Sequence, residues 1–221
     1  MTKSTAATVR RVTSDWAGAF PAFDVWRKMH LLRRVGPVLQ GICLERSTSG
    51  DEYFATAHVH ALTSGFPVIS LMLNQRLLSS SGQPEHLRFA RHEAEFRSAA
   101  DRLNDQSKLS LGEAPSLGQI VREYHSTAVD RQAKGHRPAV LEMRDSVLIA
   151  AAGGRKDLVE EGLRLADELA CVWPKSRLPL DWESKEAWLE ELTSKANDPD
   201  ALWEVVEGQI VKHKLEKVRV V

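Results

Sequence analysis

Three apolar segments rich in β-branched and aromatic residues follow one another early in the chain, separated by short turn-forming sequences. They comprise residues 38–46, 53–62 and 68–73, and in an alternative reading the third segment extends to residue 78. Val, Ile, Thr, Tyr and Phe favour the extended conformation, and the Ser-Thr-Ser-Gly sequence at 47–50 is typical of a turn. Antiparallel neighbours need only a turn between them, whereas parallel neighbours need a crossover of about a dozen residues or more. The pattern therefore predicts a three-stranded antiparallel meander.

The segment before these strands shows a different spacing. Apolar side chains recur every three or four residues over residues 22–35, which predicts a helix. Trp26 would lie on the apolar face of this helix, and Arg27 and Arg34 on the opposite face. Residues 1–14 are rich in Thr, Ser and Ala, and we interpret them as a loose arm or an edge strand.

Helical patterns dominate the chain after the strands. Ser116 is followed three residues later by Gln, a capping box that marks a helix start. The pattern is helical throughout after Pro138, and Asp198 followed by Pro199 marks the start of the last helix. These signals predict an α+β fold, in which the meander packs with helices and a C-terminal helical bundle follows. The predicted divisions are an α+β unit at 1–105, a connecting loop and helix at 106–135, and the bundle at 136–221. One continuous domain is also compatible with the pattern.

The composition excludes several classes of protein. With 43% apolar and 27% charged residues, a chain of 221 residues can bury a hydrophobic core, so disorder is not expected. No apolar run approaches the roughly 18–20 residues that span a bilayer, and the N-terminus has no signal-peptide core. Cys43 and Cys171 belong to no Cys-x-x-Cys pair. We therefore expect a cytoplasmic protein with reduced thiols and no membrane partner.

Two histidines form the most suggestive group for metal chemistry. His58 and His60 are two residues apart in a predicted strand, so their side chains would share one face of the sheet. Two imidazoles so placed can bind one metal ion if further ligands approach from neighbouring elements. The candidates for a third ligand are His30, Glu45, Glu52, His86, His92 and Glu93. The alternative is a pair of histidines with no ligand role on a partly solvated sheet face.

No complete catalytic or cofactor motif is present in the sequence. The nucleophile elbow and both glycine-rich phosphate-binding loops are missing. The segment at 92–96 is similar to the start of the zinc-protease helix, but Phe96 stands where the second histidine belongs. We therefore predict no cofactor and favour a non-catalytic protein over an enzyme.

The charges are distributed unevenly along a chain whose formal net charge is zero. Residues 1–36 carry seven Lys/Arg against two Asp, a net charge of +5. Residues 138–221 carry twelve Lys/Arg against seventeen Asp/Glu, a net charge of −5. Such an asymmetry can steer a partner, join two copies head to tail, or bring the two ends of one molecule together.

The leading hypothesis is a non-catalytic macromolecule-binding protein, such as a subunit of a larger assembly or an immunity or defence-type accessory factor. It would bind a protein partner or itself through basic residues and tryptophans, which are frequent interface anchors. The candidate residues are Arg27, Arg33, Arg34, Trp26, Trp182, Trp188 and Trp203. Two alternatives remain: a metal-dependent hydrolase or nuclease centred on His58 and His60, and a nucleic-acid-binding module that uses the early basic helix.

Overall fold

The computed structural model describes residues 5–221 and has an α+β fold. The helices of this described part are α1 Ala6–Ala19, α2 His92–Gln106, α3 Leu117–Ala133, α4 Val140–Ala152, α5 Lys156–Ala170, α6 Lys185–Ala196 and α7 Pro199–His213. The strands are β1 Asp24–Arg27, β2 His30–Val35, β3 Val38–Arg46, β4 Glu52–Ala61, β5 Met72–Arg76 and β6 Leu87–Arg88. None of the described helices is both long and apolar enough to cross a membrane.

The sheet contains the predicted meander at its centre. Strands β1 to β5 pair with their sequence neighbours in order and antiparallel, and the short β6 pairs with the start of β4. The third strand, β5, begins only at Met72 and ends at Arg76, so it falls within the extension to residue 78 and differs from the bounds 68–73. Before that point the backbone N–H of Ser70 donates to Nδ1 of His60 (3.0 Å) and not to a neighbouring strand. This side-chain bond takes the place of a ladder hydrogen bond and delays the strand.

The helix predicted over residues 22–35 is wrong, since this segment forms the hairpin of β1 and β2. The turn of the hairpin includes Met29, which has a positive φ of 66°. Leu31 and Leu32 are both fully buried although they point to opposite faces of the sheet. Because both faces of β2 are covered, apolar residues occur at consecutive positions and hide the period of two. The nucleic-acid-binding alternative thereby loses the basic helix on which it depended.

The interpretation of residues 1–14 as a loose arm or an edge strand is also wrong within the described residues, where α1 begins at Ala6. Thr5 caps this helix by accepting a hydrogen bond from the backbone N–H of Thr8 (3.2 Å). Val12 and Trp16 are fully buried and four residues apart, so they form one apolar stripe toward the sheet. Residues 1–4 lie outside the described part of the chain.

One face of the sheet packs against two separate groups of helices. At one end Ile42 shares a core cluster with Trp16 of α1 and Leu103 of α2. At the other end Val38 shares a cluster with Ile120 of α3 and with Ile149 and Leu158 of the C-terminal helices. The second cluster contains residues from all three predicted divisions of the chain.

The opposite face of the sheet is covered in part by the end of the chain. Leu32 and Leu39 share a cluster with Val206 of α7 and with Leu215 and Val218 beyond it. The last residues then run beside the end of β2, where the backbone N–H of Arg34 donates to the carbonyl of Arg219 (2.9 Å). The guanidinium of Arg219 also forms an ion pair with the carboxylate of Asp24 (2.9 Å). The C-terminal segment therefore completes the sheet edge.

The predicted helix starts in the C-terminal half are confirmed. The hydroxyl of Ser116 accepts from the backbone N–H of Gln119, and the Gln119 side chain accepts from the Ser116 N–H. At α7, Asp198 accepts from the N–H of Ala201 (3.0 Å), and Pro199 occupies the first position of the helix. Both caps satisfy backbone donors that the first helical turn leaves free.

Candidate functional site

His58 and His60 lie on one face of β4 but do not converge on a common point. Nε2 of His58 is 2.8 Å from Nε2 of His30, across the neighbouring strand. Nδ1 of His60 instead accepts from the backbone N–H of Ser70 and lies 2.8 Å from its hydroxyl. The ring of His213 on α7 stands edge-on to His60, with the ring centroids 6.2 Å apart. We refer to His30, His58, His60 and His213 as the histidine row.

The histidine row provides no complete ligand set for the predicted metal site. Within residues 5–221, no group of three or more His, Cys, Asp or Glu side chains is arranged to hold a metal ion. Of the predicted third ligands, His30 reaches His58 but shares a hydrogen bond with it. Glu45 pairs with Arg76 (3.0 Å), and His86 lies 2.9 Å from Glu52. The metal-dependent hydrolase or nuclease gains no support from this geometry.

Burial keeps the histidine row neutral at pH 7. Desolvation lowers the pKa of His30 and the pKa of His60 to about 4, and it lowers the pKa of His58 well below its ordinary value. The pKa of His213 is also lowered, and desolvation is the largest cause. Protonation of any of these side chains would place a charge between the sheet and α7, which disfavours the folded state.

The histidine row predicts that stability falls as the pH is lowered from about 6.5 toward 5. The unfolded chain binds protons with a histidine pKa near 6.5, while the folded His30, His58 and His60 stay neutral. Each proton taken up on unfolding contributes a slope of about 1.4 kcal/mol per pH unit. Asp145 opposes this trend, because burial raises its folded pKa to about 6. Below that pH the folded state binds a proton that the unfolded state releases.

Denaturant titrations at pH 7.5, 6.5 and 5.5 would measure this slope. The variant His60→Gln should take up about one proton fewer on unfolding. The slope of its unfolding free energy against pH should therefore be lower by roughly 1.4 kcal/mol per pH unit. Equal slopes in the wild-type protein and His60→Gln would show that His60 is not held neutral by folding.

Gly41 makes room for the ring of His58 on the adjacent strand. A Cβ atom at this position would lie 2.3 Å from Nε2 of His58 and 2.7 Å from Cδ2 of Leu32. Gly41→Ala should therefore lower the free energy of unfolding by about 1–3 kcal/mol, as overpacking does. Gly18→Ala is the control, because Gly18 lies in α1 with no atom within 4 Å of a new Cβ. That change should be neutral or stabilising, so equal losses in both variants would contradict the contact.

A second buried network joins α1, β4 and α2. Nε1–H of Trp16 donates to the hydroxyl of Tyr53 (3.2 Å), which lies 2.8 Å from Nδ1 of His92. Nε2 of His92 lies 3.0 Å from Asp15. The order of carboxylate, imidazole and hydroxyl matches that of a nucleophilic triad. However, Tyr53 is fully buried and burial raises the pKa of its hydroxyl, so the network holds α1 and α2 on the sheet.

Arg33 is fully buried, which conflicts with its predicted place at a partner surface. Its guanidinium donates to the side-chain oxygen of Gln40 (2.7 Å) and to the carbonyls of Ser110 (2.8 Å) and Glu113 (2.6 Å). Desolvation lowers its pKa to about 10. Arg33 therefore ties the loop before α3 to the sheet, and it cannot contact a partner of the folded protein.

The other residues predicted at the early basic segment have internal contacts too. Arg27 is exposed, and its guanidinium carbon lies 3.9 Å from the ring centroid of Trp26. The indole N–H of Trp26 donates to the carbonyl of His213 (2.8 Å). Arg34 is half-buried, and its backbone bonds to the C-terminal segment. Trp26 and Arg34 thus help to hold the end of the chain against the sheet.

Trp182 and Trp188 are brought together with Trp173 in one aromatic cluster. Their ring centroids are 5.2 to 5.6 Å apart. Trp173 is buried, whereas Trp182 and Trp188 are half-buried and also form a wall of an open cleft of about 520 Å³. Aromatic pairs at these distances stabilise one another beyond the area that they bury. Two of the predicted anchors are therefore fixed in place at an open surface.

This cleft, called the tryptophan cleft below, lies between α4, residues 179–184 and α6. Its lining combines aliphatic, aromatic and charged side chains: Val140, Leu141, Arg144, Pro179, Asp181, Trp182, Glu183, Ser184, Ala187, Trp188, Glu191, Leu192 and Lys195. Leu141 is 42% exposed at this surface. Leu180, in the loop that borders the cleft, is fully exposed. Trp203 lies on α7 outside the cleft lining, and its indole N–H donates to the carbonyl of Ala152 (2.8 Å).

The segment that provides the loop and α6 side of the tryptophan cleft is acidic and continues so into α7, and of its carboxylates Asp181, Glu183 and Glu191 line the cleft. Residues 181–207 contain nine Asp/Glu and two Lys, and all nine carboxylates are exposed. Lys185 pairs with Asp167, and Lys195 pairs with Glu191, so both lysines already have acidic neighbours. The predicted negative charge of the C-terminal part is therefore concentrated at α6, α7 and the loop before them.

Sequence reasoning named two of the residues that line this candidate site. The abundance of tryptophan identified Trp182 and Trp188, but it missed Trp173, Leu141 and the cleft between them. Comparisons of this chain with protein-family models, with curated proteins and with solved structures found no match. The interpretation of the tryptophan cleft therefore depends on its geometry and chemistry alone.

Proposed function

We propose that this protein is a non-catalytic protein-binding module, and that a partner docks in the tryptophan cleft. The observation that carries the proposal is the opening of a three-tryptophan cluster onto the surface, where Trp182 and Trp188 remain half-exposed. Tryptophan is one of the residue types enriched among interface hot spots, together with Tyr and Arg. The cleft volume of about 520 Å³ suits a few side chains of a partner polypeptide.

The chemistry of the cleft supports binding over catalysis. The groups with strongly shifted pKa values, such as His30, His58 and Tyr53, are enclosed between the sheet and its helices and do not line the cleft. Active sites, by contrast, usually present such groups to a substrate. The acidic surface also disfavours a nucleic-acid partner, because phosphates would be repelled.

Affinity capture with matched variants tests this proposal. Leu141→Gln replaces an exposed apolar residue inside the cleft, and Val129→Gln replaces one of similar exposure on α3 outside it. The wild-type protein and Val129→Gln should recover the same partner in quantitative mass spectrometry. Leu141→Gln should recover at least about tenfold less of this partner, since a lost apolar anchor costs about 1.4 kcal/mol or more. Equal recovery by all three proteins would contradict docking in the cleft.

A further inference from the structure

We infer that the segment which docks in the tryptophan cleft is basic, with Lys or Arg side chains on either side of a large apolar residue. This inference rests on the proposed function, and it adds the chemistry of the partner. It depends on two features that occur together: an aromatic wall in the cleft and, in the loop that borders it, exposed carboxylates without an ion pair among the described residues.

The two cations that line the cleft, Arg144 and Lys195, are already in ion pairs with Asp145 and Glu191, whereas most of the nearby carboxylates are not paired in the described structure. Among the nine carboxylates of residues 181–207, Glu191 is the one that forms an ion pair within the described part of the chain. Asp181 and Glu183 are exposed in the loop that borders the cleft, and they form no ion pair within residues 5–221. Carboxylates two positions apart in the chain repel one another, and a nearby cation lowers the energy of both. A basic partner would relieve this repulsion, and an acidic partner would increase it.

The aromatic wall favours the same partner. Trp182 and Trp188 are half-buried, so part of each indole ring is open to the cleft. The face of an indole attracts Lys and Arg side chains by about 0.5–2 kcal/mol, more than the face of Phe or Tyr does. The chain already shows this contact elsewhere, where the guanidinium of Arg27 lies 3.9 Å from the ring centroid of Trp26. The same wall therefore suits the apolar stems and the cationic ends of basic side chains.

The dimensions of the cleft limit the length of the segment. Helix α6 has 12 residues and forms one side of the cleft. A helix of this length extends about 18 Å, which an extended chain spans with roughly five to six residues. A short basic segment with one or two apolar anchors is long enough to occupy the cleft and reach the acidic loop.

Selection from a displayed library of random 12-residue peptides tests the inference. The selection uses the full wild-type chain as bait, and peptides that also bind Leu141→Gln are removed. The surviving peptides should be enriched in Lys and Arg and should carry at least one large apolar residue. Their affinity should fall about tenfold or more between 50 and 500 mM salt, since exposed charges are screened at high ionic strength.

A charge-reversal pair provides the matched control. Asp181→Lys combined with Glu183→Lys should weaken the selected peptides about tenfold or more, because both carboxylates border the cleft. Asp130→Lys combined with Glu160→Lys makes the same change of net charge at exposed helix positions outside the cleft, and it should alter the affinity less than twofold. Circular dichroism would verify that both double variants are folded.

The failures of the two proposals are distinguishable. Peptides that need Leu141 but are neutral or acidic would overturn this inference and leave the proposed function standing. Absence of any peptide whose binding needs Leu141 would overturn both. Self-association in light scattering that Leu141→Gln abolishes would make a second copy of this chain the occupant, and would overturn the inference of a separate basic partner.

Discussion

Replacing Trp16 by alanine is expected to lower the free energy of unfolding by about 3–5 kcal/mol, the loss typical of a large buried aromatic residue. Trp16 is fully buried, since its accessible surface in the folded chain is 0%. Its ring packs against Phe20 and Tyr53, with centroids 6.0 and 6.5 Å apart. The indole N–H also donates to the Tyr53 hydroxyl, so the variant loses one bond of the buried network. Urea or guanidinium titration would measure the loss.

Trp203→Ala is the matched control for this stability measurement. Trp203 is 36% exposed, and its one hydrogen bond goes to the carbonyl of Ala152. The control should cost less than about 2 kcal/mol, because one net hydrogen bond contributes about 1 kcal/mol and the burial is partial. A loss below about 1 kcal/mol for Trp16→Ala would contradict the assignment of α1 to the core.

The second large effect concerns binding in the tryptophan cleft. Trp182→Ala should weaken a cleft-binding peptide by about thirtyfold or more, which corresponds to the 2 kcal/mol or more of an interface hot spot. Trp182 supports this expectation because it lines the cleft and is held by Trp173 and Trp188. Fluorescence anisotropy of a labelled peptide would measure the change.

Two further variants separate binding from folding in that experiment. Trp182→Phe keeps an aromatic ring in the cluster, so it should fold like the wild-type protein and lose less affinity than Trp182→Ala. Trp203→Ala removes a tryptophan outside the cleft lining, and its affinity should stay within about threefold of the wild-type value. If Trp203→Ala weakened the peptide as much as Trp182→Ala, the binding surface would lie on α7 and not in the cleft.

The sequence predicted those elements whose signals are local. Strands β3 and β4 were identified because β-branched residues flank a Ser-Thr-Ser-Gly turn, and α3 because Ser116 and Gln119 form a capping box. Asp198 and Pro199 likewise marked the start of α7. In each case the residues that decide the structure are neighbours in sequence, so propensity and capping chemistry suffice to predict it.

The hairpin of β1 and β2 was missed for a reason that lies in tertiary packing. A strand that is covered on one face alternates between apolar and polar residues, but β2 is covered on both faces. Its one charged residue with no exposure, Arg33, bonds to Gln40 and to loop carbonyls nearly eighty residues later in the chain. No local pattern contains these partners, so the helical spacing at 22–35 was misleading.

The candidate site shows the same division between local and distant information. Trp182 and Trp188 were identified as possible anchors from residue type alone, because tryptophan is frequent at interfaces. Their contact with Trp173 depends on how the end of α5, the loop before α6 and α6 itself pack together. His30 was named as a possible neighbour of His58, but the hydrogen bond between them arises from a strand pairing that the sequence pattern did not predict.

Hydrogen–deuterium exchange with and without a selected peptide tests the central claim most directly. Protein binding in the tryptophan cleft predicts slower exchange in α4, in residues 179–184 and in α6, with little change in α1 and in the β1–β2 hairpin. Backbone amides at an interface exchange more slowly because they lose access to water. Protection confined to α1, the hairpin or α3, with none around Trp182 and Trp188, would contradict the account.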